Sequence, residues 1–249
     1  MNSGFLQIQS GRHFYSQLRR LPAVSLIESQ PFPESGGTVQ RTRVKICGLT
    51  SVDDALQAAE LGADAIGLVF YPRSSRALTA EKAGSIRKAL PVFVNVVGLF
   101  VNPTEAEVEL VLKHVHLDCL QFHGDEPPAF CASFGLPYMK AIRVRPELNL
   151  LAEISRFSNS SAILLDSYDK LVAGGTGTTF DWAIAQHCVE NTDSKIVLAG
   201  GLDASNVAVA IHQVKPWAVD VSSGVESAPG IKSSARMREF IDEVYRVTY

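Results

Sequence analysis

The chain has 249 residues, 46% of them hydrophobic and 20% charged, with a formal net charge of −3. That fits a globular protein of one large α/β domain or two small ones, long enough to bury a core. It argues against a nucleic-acid binder, since no basic stripe interleaves with aromatics, and no apolar run reaches the roughly 18 residues of a membrane span.

Residues 1–40 stand apart from the rest. They hold six serines, three arginines and only two acids, Glu28 and Glu34, with the turn signal Ser35-Gly36-Gly37. A short helix is expected at 13–21, ended by Pro22. The segment reads as an N-terminal extension to a domain at 41–249, either a plain appendage or an acid-poor transit peptide. The expected location is the cytoplasm, or a plastid in the second case. The four cysteines, Cys47, Cys119, Cys131 and Cys188, form no C-x-x-C pair. Reduced thiols fit better than a zinc site or a disulfide scaffold.

From residue 41 onward, apolar runs alternate with helix-like segments. Strands are expected at 43–47, 65–70, 92–101, 119–123, 138–142, 162–166, 196–200 and 218–222. Helices are expected at 51–61, 79–90, 104–115, 127–134, 148–157, 181–189, 204–214 and 233–246. Such alternation implies parallel strands with crossover helices. Eight units in this length predict a (β/α)8 TIM barrel. The rival is an open doubly wound sheet, but no G-x-G-x-x-G follows the first strand.

A barrel of this kind carries its active site at the C-terminal strand ends. Polar or special residues cluster there: Cys47-Gly48, then "FYPRSSR" (70–76), "QFHGDE" (121–126), "LLDS" (164–167), "LAGG" (198–201) and "VDVSSG" (219–224). Side chains two apart share a face of a strand. Lys45 with Cys47, Gln121 with His123, and Asp220 with Ser222 should therefore point inward, while Val44 and Ile46 face the helices. A buried charge needs a partner. The first and last strands are neighbours once the barrel closes, so Lys45 is expected to pair with Asp220.

Gly200-Gly201 and Ser222-Ser223-Gly224 follow the seventh and eighth strands, the usual phosphate position in barrels. Glycine lets backbone N–H groups approach an anion, and a helix start adds donors. "APGIK" (228–232) is a candidate for that start. "AGGTGTTFDW" (173–182) reads equally well as a loop over the mouth or as a plain connection. Cys47 at a strand tip is either a reactive thiol or a packing residue. Asp166 is either an acid or a turn residue.

The motifs "VKICGLT", "GLVFYPRSSR", "LQFHGDE", "ILLDS", "GGTGTTFDW", "LAGGL" and "VDVSSGVE", followed by "PGIK", resemble those of the phosphoribosylanthranilate isomerase family of tryptophan biosynthesis. The resemblance covers residues 42–246 and leaves out residues 1–40. It implies a (β/α)8 barrel that turns N-(5'-phosphoribosyl)anthranilate, a small phosphorylated substrate, into an aminoketose without cofactor or metal. It implies Cys47 as general base and Asp166 as general acid. Arg76 would face the anthranilate carboxylate and Asp220 a ribose hydroxyl, while Gly200, Gly201, Ser222 and Ser223 are read as the phosphate site from their place in the barrel. His123 would lie near the substrate with no fixed role, or serve as a structural hydrogen-bonding histidine.

The residue types suit that chemistry. Ring opening needs a proton on the ribose ring oxygen, and a carboxylic acid whose surroundings raise its pKa can supply it. The resulting imine acidifies the C2' hydrogen, which a thiolate removes. Lys45, if close, would lower the thiol pKa. Two alternatives remain: the histidine-pathway aminoaldose isomerase, which pairs two aspartates and so is disfavoured by Cys47, and a non-catalytic phosphate-binding barrel. The assembly is read as a monomer or homodimer.

Overall fold

The apolar runs become eight strands: β1 (Arg43–Cys47), β2 (Ala65–Val69), β3 (Asn95–Phe100), β4 (Cys119–Phe122), β5 (Tyr138–Val144), β6 (Ala162–Ser167), β7 (Ile196–Leu198) and β8 (Ala218–Val221). In the computed structural model, which describes residues 41–145, 147–167 and 181–247, they pair in parallel and β8 closes onto β1. The expected (β/α)8 barrel is therefore formed. The extension at 1–40, its helix at 13–21 and most of the loop at 173–182 lie outside the described residues.

Eight helices follow the strands in turn: α1 (Val52–Glu60), α2 (Ala80–Ala89), α3 (Glu105–His114), α4 (Pro128–Cys131), α5 (Leu150–Arg156), α6 (Trp182–Glu190), α7 (Val207–Val214) and α8 (Ser234–Arg246). Side chains that cap free N–H groups start most of them. Ser51 accepts from Asp54 N–H, and Thr104 forms a capping box with Glu107. The larger core lies between strands and helices and contains Val44, Ile46, Phe100 and Phe122. A smaller core fills the barrel with Val97, Met139, Leu164 and Val197. Above it, Val69 and Leu99 pack with Cys47.

Several expected bounds shift by a few residues, among them those at β3, β7, α4 and 228–232. Strand β3 starts at Asn95, because Val94 N–H turns back to the Pro91 carbonyl at 3.3 Å and leaves Val92 and Phe93 in solvent. Strand β7 stops at Leu198, because Gly200 and Gly201 take positive φ angles of 84° and 67°. Helix α4 is only four residues long. The stretch at 228–232 is not a helix start. It completes a small antiparallel hairpin, β9 (Glu226–Ala228) and β10 (Ile231–Lys232), turned by Gly230 at φ 81°. The helical turn after β8 is instead a 3-10 turn, Ser223–Val225.

Candidate active site

A cavity of about 520 Å³ opens at the C-terminal end of the barrel. All nine residues expected from the sequence line it, so strands far apart in the chain bring them to one place. Cys47 ends β1, and Asp166 lies near the end of β6. His123 follows β4, and Asp220 is on β8. Arg76 comes from the loop after β2. Gly200 and Gly201 follow β7, and Ser222 and Ser223 follow β8.

The glycine behind Cys47 has a definite reason. Gly48 has φ 77°, and a Cβ there would collide with the Arg76 side chain. Only glycine turns the chain behind the thiol and still lets Arg76 pass.

Lys45 and Asp220 face each other in register across the barrel seam, Nζ to Oδ1 2.9 Å, as expected. Burial pulls the Lys45 pKa down, but Asp220 and Cys47 outweigh it, so the ammonium holds its proton strongly. Burial pushes the Asp220 carboxyl up, Lys45 only partly offsets this, and the neighbouring Asp166 adds to the rise.

Cys47 corrects one expectation. Burial beside Val69 and Leu99 raises the thiol pKa, and the opposing pull of Lys45 and Lys232 does not cancel it. Lys45 is near enough to act on the thiol but loses to desolvation. Thiolate is therefore the minority form, and each thiolate is a correspondingly stronger base.

Asp166 is held from two sides. Its Oδ1 accepts from Ser167 N–H at 2.9 Å, and its Oδ2 lies 3.1 Å from His123 Nε2. His123 Nδ1 in turn lies 3.3 Å from Gln121 Nε2. A Cβ on Gly200 would come 2.8 Å from Asp166 Oδ1, so the glycine at this position also makes room for the carboxyl.

Arg76 is not a solvated loop charge. Its Nε and Nη2 donate to the two oxygens of Glu226 at 2.7 and 2.6 Å. Lys232, whose side chain is fully buried, donates to Glu226 Oε1 at 2.8 Å and to the Ser222 carbonyl at 3.0 Å. Burial alone would raise the Glu226 pKa, but the two cations hold it below the usual range.

Sequence reasoning left these two partners out. Glu226 and Lys232 stand inside the quoted motifs "VDVSSGVE" and "PGIK", but nothing local marks them as partners of an arginine about 150 positions away. Arg143 was also missed. It lines the same cavity, and its Nη2 donates to the His123 carbonyl at 3.3 Å. Extending the inward alternation of Met139 and Ala141 by one step would have found it.

Comparison with known proteins fits this geometry. The family model of N-(5'phosphoribosyl)anthranilate (PRA) isomerase matches residues 44–243. The N-(5'-phosphoribosyl)anthranilate isomerase of Azotobacter vinelandii is 54% identical over 202 residues, covering 81% of this chain and 97% of its own. That of Pseudomonas syringae pv. syringae is 50% identical over 203 residues, covering 82% and 97%. Among solved structures, the phosphoribosyl anthranilate isomerase of Thermotoga maritima superposes with a TM-score of 0.76 at 39% identity, covering 83% of this chain and 100% of that one. With the barrel, the cavity and these matches in agreement, the chain belongs to the N-(5'-phosphoribosyl)anthranilate isomerase family.

Proposed function

We infer that the protein is an isomerase of tryptophan biosynthesis. It converts N-(5'-phosphoribosyl)anthranilate into 1-(2-carboxyphenylamino)-1-deoxyribulose 5-phosphate by an Amadori rearrangement. The observation that carries the site assignment is that Cys47 and Asp166 share one cavity with the glycine- and serine-bearing loops after β7 and β8.

In this reading the phosphate sits on backbone N–H groups around Gly200, Gly201, Ser222 and Ser223. Glu226 engages Nε and one N–H of Nη2 of Arg76, and among the described residues the outer N–H groups, on Nη1 above all, are left for the anthranilate carboxylate. Asp220 takes a ribose hydroxyl. Asp166 protonates the ring oxygen, the C1'–O bond breaks, and the nitrogen lone pair forms the C=N bond. Cys47 thiolate then removes the C2' proton, and the enolamine rearranges to the ketone. General acid and general base catalysis of this kind contributes about 10²–10⁴-fold for each group.

The histidine-pathway reading is weakened by a thiol where that family places a carboxylate, and the non-catalytic reading by the presence of both reactive groups. A fluorescence assay for loss of phosphoribosylanthranilate tests the function. No consumption by the folded protein rejects it. Residues 41–249 are taken as the catalytic domain, acting in the cytoplasm or in a plastid. Monomer and homodimer are distinguished by sedimentation velocity.

A further inference from the structure

On the β4–β6 side of the mouth, one buried oxygen has no hydrogen-bond partner among the described residues. Gln121 is fully buried on β4. Its Nε2 lies 3.3 Å from His123 Nδ1, while its Oε1 is buried and, among the described residues, without a hydrogen bond. His123 Nε2 lies 3.1 Å from Asp166 Oδ2. Gln121, His123 and Asp166 thus form a row from β4 to β6. Buried polar groups are normally satisfied, so an orphan next to a titratable ring needs a reason.

The amide has two orientations, related by a half turn about its last side-chain bond. With the NH2 toward Nδ1, the ring must accept there. Its single proton is then on Nε2, donated to an ionised Asp166, and Oε1 is idle. With Oε1 toward Nδ1, the ring must donate there. The row then holds one more proton: one on Nδ1, bonded to Oε1, and one shared between Nε2 and Asp166 Oδ2. Only this second state gives Asp166 a proton to pass on.

We propose that Gln121 is a positioning residue for the acid half of the reaction: by turning its amide it lets the His123–Asp166 pair take up and hold the proton that opens the ribose ring. This rests on Asp166 being the general acid. In the step, the shared proton goes to the ring oxygen as the C1'–O bond breaks toward it, and the nitrogen lone pair completes the C=N bond. Asp166 ends as a carboxylate. His123 ends as a neutral ring with its proton on Nδ1, still bonded to Oε1.

Other charged groups face the row. Arg143 of β5 donates to the His123 backbone carbonyl, and Lys45 of β1 is paired with Asp220 of β8. Among the described residues, Gln121 is the one whose side chain meets Nδ1.

The test uses the full chain, uniformly labelled with ¹⁵N, with His123→Gln identifying the His123 signals among the six histidines. As pH falls, His123 Nδ1 should gain a proton, and the Gln121 side-chain amide signals should shift over the same interval. Gln121→Met keeps the length but removes the acceptor. Nδ1 should then protonate at lower pH, and kcat at neutral pH should fall about 10-fold or more, with KM within about 2-fold. Gln121→Glu keeps an acceptor, so Nδ1 should protonate at higher pH and most of kcat should return.

The proposal is overturned by wild-type kcat and an unchanged titration in Gln121→Met, by Gln121→Glu as impaired as Gln121→Met, or by Gln121 amide signals that ignore the His123 titration. The last result is read on the wild-type chain itself. Asp166→Asn is the separate arm. Full activity there rejects the acid assignment itself, whereas a large loss there with no effect of Gln121→Met rejects the role of Gln121 alone.

Discussion

Lys45 and Asp220 meet at the seam where the barrel closes, the first strand against the last, directly beneath the mouth that holds Cys47. Removing one partner leaves an uncompensated buried charge, at a cost of about 3–5 kcal/mol. Lys45→Met and Asp220→Leu should each lower stability by that order in urea unfolding. The double variant should regain most of it, since apolar replacement of a buried pair is often neutral, yet it should stay poorly active. Additive losses in the double variant would mean that the pair does not act as a unit.

Cys47→Ser keeps the shape but exchanges a titratable thiol for a hydroxyl that is almost never ionised near neutrality. Asp166→Asn keeps size and polarity but cannot protonate the ring oxygen. Each should reduce kcat about 10²–10⁴-fold. KM should move little, because the proposed phosphate and carboxylate contacts lie elsewhere. Full activity of Cys47→Ser would return Cys47 to the packing residues.

The raised pKa of Cys47 has a sign that alkylation can read. Iodoacetamide reacts with the thiolate. Its rate at Cys47 should keep climbing with pH beyond about 8.5, where an ordinary cysteine levels off. Lys45 opposes the rise, so Lys45→Met should move the levelling point higher still. Levelling of the alkylation rate below the ordinary range would contradict the dominance of burial at this thiol.

Glu226 clamps Arg76 and the buried Lys232 together. Glu226→Gln removes the charge that both cations face. KM should rise as Arg76 loses its fixed orientation, and stability should drop by about 3–5 kcal/mol as Lys232 is left without its counter-charge. An unchanged KM would show that Arg76 needs no such support.

The alternation of apolar runs revealed the barrel because parallel strands, covered on both faces, read as near-continuous hydrophobic segments. The same rule misled at Val92 and Phe93, where apolar residues lie in solvent before β3 begins. The two-step periodicity of a strand gave the inward set and the Lys45–Asp220 pair. It could not give the Arg76–Glu226–Lys232 cluster, since a loop and a two-residue strand carry no period. Nor could residue types show whether Lys45 or burial would win at Cys47. That balance depends on Val69 and Leu99, which only the folded barrel brings beside the thiol.

Gly200 joins the acid to the proposed phosphate loop, and its replacement should damage both. It has φ 84°, and an added Cβ would collide with Ser167 N and come within 2.8 Å of Asp166 Oδ1. The backbone N–H of Ser167 is also the group that holds Asp166 Oδ1. Gly200→Ala should therefore displace Asp166 and the turn that follows β7 together. A misplacement of about 1 Å costs up to about 10²-fold in rate, so kcat should fall by roughly that factor while KM rises. The control is Gly135→Ala. Gly135 has a similar φ of 67°, but nothing lies within 4 Å of where its Cβ would be. That variant carries the same kind of backbone strain, about 1–2 kcal/mol, without touching the mouth. It should melt at a lower temperature and keep its kcat and KM. Equal kinetic losses in the two variants would assign the effect to backbone strain and remove Gly200 from the site.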